Sequence, residues 1–178
     1  MRLRRRIFCT LLTLLTLVIE TSVLPFTGLN MGYVPRVCLV CVILIGTILG
    51  ATQGMIYGAL AGILLGITVY PLKLEGESVM KLKPAGIVAI TYIACALSAG
   101  YISHKIKPAL VTVFPPLAGY ALYELSMLAY YYLTTSYFPF ARLGQAGIRL
   151  ALAMVLVQLF YIPGIKLLKP ASIGRRRR

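Results

Sequence analysis

From residue 37 to residue 72 the chain carries no charged side chain. As one helix that stretch would extend over about 50 Å at ~1.5 Å per residue, against ~30 Å for the hydrocarbon core of a bilayer. It must fold back on itself. Its only turn signal is the polar, glycine-flanked Gly50–Ala51–Thr52–Gln53–Gly54. Glycines also recur at four-residue intervals, at Gly46, Gly50, Gly54, Gly58, Gly62 and Gly66. A glycine inside a helix costs about 1 kcal/mol relative to alanine, so a series of them needs a compensating gain. In lipid that gain is close helix approach, because small residues at i and i+4 form a smooth strip on which another backbone can lie. Gly50, Gly54, Gly58, Gly62 and Gly66 are therefore the candidate helix-packing or partner interface.

Composition excludes a soluble fold. The chain is 60% apolar and 12% charged, with four acidic residues, Glu20, Glu75, Glu77 and Glu124. That is too little charge to cover a water-facing surface. The net charge of +14 would suit nucleic acid, but its location argues for membrane topology. Arg2, Arg4, Arg5 and Arg6 precede the first apolar run, Arg175 to Arg178 end the sequence, and Lys105, Lys107, Lys166 and Lys169 flank other runs. Basic residues held beside spans mark the cytoplasmic side and attract anionic headgroups. The basic start and the apolar run from Ile7 to Ile19 resemble a signal peptide. The first alanine is Ala51, however, so the small-residue cleavage pattern is missing and an uncleaved first span is expected.

Apolar runs set an all-α plan of six transmembrane helices, with one membrane domain over residues 1–178. The expected spans are 7–24, closed by Pro25; 37–49; 55–70, ended by Pro71; 85–103, after Pro84; 109–133, interrupted by Pro115–Pro116; and 147–165. Six crossings put both short basic termini, about 1–6 and 166–178, on one side. Twelve of the eighteen Lys and Arg residues then lie cytoplasmic, which favours N-in, C-in. Tyr130, Tyr131, Tyr132, Tyr137 and Phe138 cluster where the fifth span would leave the outer leaflet, a usual place for amphipathic rings. The hydrophilic stretch 72–83 reads as an outer loop or short surface helix.

Three residues stand out as intramembrane polar groups: Glu20, Glu124 and Arg149. An acidic residue inside a span costs at least ~2.5 kcal/mol on insertion scales and faces protein or water. Glu124 lies near the middle of the fifth span, with Tyr120 one turn before it on the same face. It reads either as a ligand, proton or partner-helix contact, or as a buried polar lock. Glu20 and Arg149 lie at similar depths near outer helix ends, which suggests a Glu20–Arg149 pair, with snorkelling of each to the headgroups as the alternative. Cys38 and Cys41 form a CxxC inside an apolar run, without a second pair, and read as packing residues. His104, beside Lys105, reads as a surface residue at a helix end. One histidine and no aspartate supply no catalytic triad, zinc cluster or phosphate loop. No enzyme, cofactor or metal is expected.

The order of features also carries a resemblance. A basic start leads into a span ending Glu20–Thr21–Ser22–Val23–Leu24–Pro25, a loop with Gly32 and Pro35, a second span, and then the run from Gly50 to Leu65, GATQGMIYGALAGILL. This resembles the MreD family of bacterial rod shape-determining membrane proteins, whose centre reads roughly G-x3-G-x3-G-F-x2-G-L-L-x-D. Ala85–Gly86–Ile87 and Tyr123–Glu124–Leu125 also suit that family, and the similarity spans the whole chain. Gly66 stands where the family has its aspartate, so no role of that acid is carried over. The resemblance implies a six-span fold similar to the S components of vitamin transporters. It implies a location in the bacterial cytoplasmic membrane and a non-enzymatic scaffold function in cell elongation and side-wall peptidoglycan synthesis. The implied partner is MreC, a single-span protein, with MreB, RodA and its transpeptidase less direct, membrane lipids around it, and no nucleic acid. The alternative from the same wider group is a substrate-binding S component of an energy-coupling vitamin transporter.

Overall fold

The computed structural model describes residues 2–27, 33–69, 78–107, 110–136 and 140–168. Those residues form α1 (Arg2–Val18), α2 (Val37–Leu49), α3 (Ala51–Val69), α4 (Ser78–Lys105), α5 (Phe114–Thr135) and α6 (Phe140–Leu168), with no strand among them. α1 runs on through a π-helical turn, Ile19–Val23, into a short 3-10 turn, Leu24–Thr27. Four helices are long and apolar enough to cross a membrane, over Arg5–Val23, Ala51–Thr68, Gly86–Lys105 and Arg142–Lys166. The described residues form a helical bundle, and these four helices mark a membrane protein.

α2 is apolar on every side, and a helix with no polar face belongs in the interior. All but its two terminal residues are buried, and α1, α3, α4, α5 and α6 all pack against it. Its 13 residues reach only about 20 Å, so it is too short to cross the hydrocarbon core. The outward faces lie elsewhere. Met55, Ile56, Ile63 and Ile67 of α3 and Leu152, Val155, Leu159, Phe160 and Ile162 of α6 are exposed, as lipid-facing side chains are.

The turn between α2 and α3 is tighter than the five-residue segment expected. Gly50 alone makes it, with φ 102° and ψ 170°, a region open essentially to glycine only. Its N–H donates to the Gly46 carbonyl at 2.8 Å, and its own carbonyl accepts from Gly54 N–H at 3.0 Å. Helical bonding therefore resumes at once, and Thr52 and Gln53 belong to α3.

Gly46, Gly54, Gly58 and Gly62 of the strip face the chain's own α4. A β-carbon added at Gly54 would lie 2.7 Å from the Ala96 carbonyl oxygen and 2.8 Å from the Gly46 Cα. At Gly58 it would meet the Tyr92 carbonyl oxygen at 2.8 Å, and at Gly62 the Ala89 Cα at 2.7 Å. α4 answers with its own small residues, and Gly100 approaches the Ala51 backbone in the same way. Three backbones meet where Gly46, Gly54 and Ala96 converge. Gly66 is buried as well.

Prolines shift several expected boundaries. Pro115 and Pro116 open α5 instead of interrupting it, because proline costs least in a first turn whose N–H groups have no intrahelical acceptor. α4 starts at Ser78, ahead of Pro84, and α6 starts at Phe140, ahead of Gly147. Arg2 to Arg6 already belong to α1. Half of the hydrophilic stretch 72–83, residues 72–77, lies outside the described residues, as do Tyr137, Phe138 and residues 169–178.

One end of the bundle collects the basic residues. The Tyr57 hydroxyl donates to the Arg6 carbonyl at 3.1 Å, and His104 lies against Gly50. Gly164 of α6 lies near Ile48 at the end of α2. The start of α1 and the end of α6 therefore lie at the same end as the α2–α3 turn.

Since backbone atoms fill the seam, Gly58→Ala or Gly62→Ala should each destabilise by about 1–3 kcal/mol of overpacking, read as a lower thermal midpoint in detergent. Gly147→Ala, where nothing lies within 4 Å, should not. Equal midpoints for all three variants would contradict the packing described.

Candidate functional site

The polar groups of the interior gather at the start of α2. A helix that begins inside a protein exposes N–H groups with no intrahelical acceptor and a partial positive charge. Glu20 supplies the missing anion. It is 3% exposed and sits in the π-helical turn of α1, where one extra residue changes which way the side chain projects. Its Oε2 accepts from the Cys38 N–H at 2.9 Å, and its Oε1 accepts from Arg36 Nη1 at 3.2 Å. Arg36 is the residue before the first turn and has an extended backbone, φ −70° and ψ 98°. Its side chain remains 41% exposed, so Glu20 is the dry end of the pair and Arg36 the open one.

α5 joins this arrangement from the other side. The Arg36 N–H donates to the Tyr120 hydroxyl at 3.0 Å. One turn further on, Glu124, 5% exposed, is gripped by Arg149 of α6. Arg149 Nε donates to Oε1 at 2.8 Å and Nη2 to Oε2 at 2.6 Å, the bidentate fork that makes an arginine–carboxylate pair strong and directional. Tyr123 lies between the two pairs. Its ring is tilted against Tyr120 at 6.0 Å and meets Tyr92 of α4 edge-on at 5.9 Å. The Tyr92 hydroxyl is buried without a hydrogen-bond partner. Five of the six helices thus meet in one network of two ion pairs and three tyrosines, and α3 is held to it through its seam with α4.

The expected Glu20–Arg149 pair is replaced by two others, Glu20–Arg36 and Glu124–Arg149. The physical reason is neighbourhood. α1 packs on α2 and α3, whereas α6 packs on α2 and α5, so matched depth alone does not bring the two side chains together. The Tyr120 hydroxyl accepts from the Arg36 N–H, which links α5 to the start of α2. Arg36 and Tyr92 were not singled out from the sequence, and Tyr123 was noted only within Tyr123–Glu124–Leu125. The usable signal for Arg36 was its place directly after Pro35 and directly before an uncharged run, where a basic residue begins a buried helix. Cys9, Cys38, Cys41 and Cys95 are free and buried, and no cluster of metal-ligating residues occurs among the described residues.

Chemically the arrangement is a lock. Each buried carboxylate is neutralised by an arginine from a neighbouring segment, and each pair ties two chain segments together. Comparison with known proteins adds nothing to this: no family model, no curated protein and no solved structure matches the chain significantly.

Removing one member of a buried pair strands the other, at a cost of about 3–5 kcal/mol. Arg149→Ala and Glu124→Ala should therefore each destabilise strongly. In a double-mutant cycle read by thermal or denaturant unfolding in detergent, Glu124 and Arg149 should couple by more than ~1 kcal/mol, while Glu20 and Arg149 should add independently. Tyr92→Phe removes an unsatisfied buried hydroxyl and should leave the midpoint unchanged or raise it, whereas Tyr120→Phe should lower it.

Proposed function

We propose that this protein is a six-helix, N-in, C-in scaffold of the bacterial cytoplasmic membrane, with the short α2 packed inside the bundle. It acts as MreD-family proteins do, in cell elongation and side-wall peptidoglycan synthesis, by binding a single-span partner of the MreC type. MreB, RodA and its transpeptidase belong to the wider complex. The observation that carries this reading is the internal use of the interior's charge. Glu20 and Glu124 each hold an arginine of the same chain, so the polar interior serves rigidity. A rigid bundle with apolar outer faces is what a helix-docking scaffold requires. The sequence resemblance through Gly50–Leu65 supports the family, and the basic end of the bundle supports the orientation.

The strip on α3 is occupied by α4, which moves the expected partner surface elsewhere. α6 offers it. Only 11% of its apolar window is buried, against 39% for α3 and for α4. Gly144 and Gly147 have open space where a β-carbon would stand, and with Ala151 they form an exposed small-residue face of the kind that admits a second transmembrane helix.

The test is gentle purification from the native membrane followed by native mass spectrometry. A stoichiometric single-span polypeptide with an outer domain is the expected companion. Gly144→Leu with Gly147→Leu should lose that companion while leaving the thermal midpoint of the isolated protein unchanged. A retained vitamin-sized mass, or co-purifying ATPase subunits, would overturn the scaffold reading in favour of a transporter S component.

A further inference from the structure

A cavity of about 300 Å³ opens at the basic end of the bundle, lined by Arg5, Arg6, Cys9, Leu49, Gln53 and Tyr57. It lies between the start of α1, the end of α2 and the first turns of α3, and has no part in the ion-pair network. Its volume is at the lower end of the range typical of small-molecule sites.

Its chemistry is one-sided. Arg5 is half-buried and Arg6 exposed, and among the described residues neither guanidinium is in an ion pair. Glu20 and Glu124 are engaged elsewhere, so no described carboxylate lines the cavity. Gln53 brings an amide donor from the first turn of α3. The Tyr57 hydroxyl is spent on the Arg6 carbonyl, which ties α1 to α3 and fixes the backbone that presents the two arginines. His104 stands behind the Gly50 turn. Leu49, half-buried, supplies an apolar wall.

Two arginines with no ion pair among the described residues, joined by an amide, call for an oxyanion, and fork-shaped guanidinium donors match phosphate geometry. The apolar wall calls for an organic group attached to it. We infer that this cavity is a binding site for a phosphate ester, with Arg5 and Arg6 holding the phosphate and Gln53 orienting it. The site stands apart from the scaffold reading and does not depend on it. A phosphate ester could arrive as an anionic phospholipid headgroup from the adjoining leaflet or as a soluble phosphate ester from the aqueous phase.

The test uses the full-length protein in neutral detergent, with binding read by native mass spectrometry and by the shift in thermal midpoint as ligand is added. Phosphatidylglycerol in mixed micelles, phosphatidylcholine in mixed micelles and soluble glycerol phosphate are the three probes. Stabilisation that saturates with phosphatidylglycerol and not with phosphatidylcholine identifies the lipid source. Stabilisation by glycerol phosphate identifies the soluble one. Arg5→Gln with Arg6→Gln should weaken binding at least tenfold. Gln53→Leu, which leaves the net charge unchanged, should weaken it severalfold. Lys107→Gln with Lys166→Gln removes the same charge from the same end without touching the cavity and should change affinity less than twofold. No saturable binding of either phosphate probe, or equal losses in the two double variants, would overturn the site.

Discussion

A helix of thirteen residues cannot reach both faces of a bilayer, and the interior follows from that shortness. α2 begins inside the protein, so its first N–H groups meet no water and need an acceptor. A carboxylate is the strongest acceptor available, but a carboxylate in that environment needs a cation. Glu20 and Arg36 meet both requirements at once, and the Arg36 N–H in turn fixes Tyr120. Once α5 is held by Tyr120, Glu124 faces α6, and Arg149 closes the sequence. A buried ion pair is weak grounds for high stability, since the desolvation of both charges offsets their attraction. Its contribution here is register, because each pair sets how far one helix slides along the next.

The other half of the bundle is held by contact without charge. α3 and α4 approach so closely that backbone meets backbone, which in lipid is where dispersion attraction and small-residue packing replace the hydrophobic effect. The two halves use complementary means. Where side chains are absent the helices lock by proximity, and where side chains are charged they lock by pairing. α2 touches both regions and transmits the geometry of one to the other.

Much of the helical plan was legible because it rests on local signals. Apolar runs bounded by proline and lysine gave every helix, and the uncharged stretch gave a reversal within 50–54, of which Gly50 alone makes the turn. Boundaries drifted where proline could be read two ways: Pro115–Pro116 looked like an interruption and is a beginning. The pairing of charges was not legible. It depends on rotation about each helix axis and on which helices are neighbours, and the π-helical turn adds a residue that no periodicity announces. The glycine strip was visible as a packing surface, but a strip does not name its occupant. Small residues on α4, at Ala89, Ala96 and Gly100, were the matching half of the signal.

The spacing of the two ion pairs along the chain bears on how the protein is made. Glu20 emerges from the ribosome sixteen residues before Arg36, and Glu124 twenty-five residues before Arg149. Each acid therefore precedes its base, and neither is comfortable alone in lipid. The first pair lets α2 settle against a waiting α1. The second obliges α5 to linger at the insertion machinery, or in the water-filled space beside it, until α6 has been synthesised, so that the last two helices enter the bilayer as a couple.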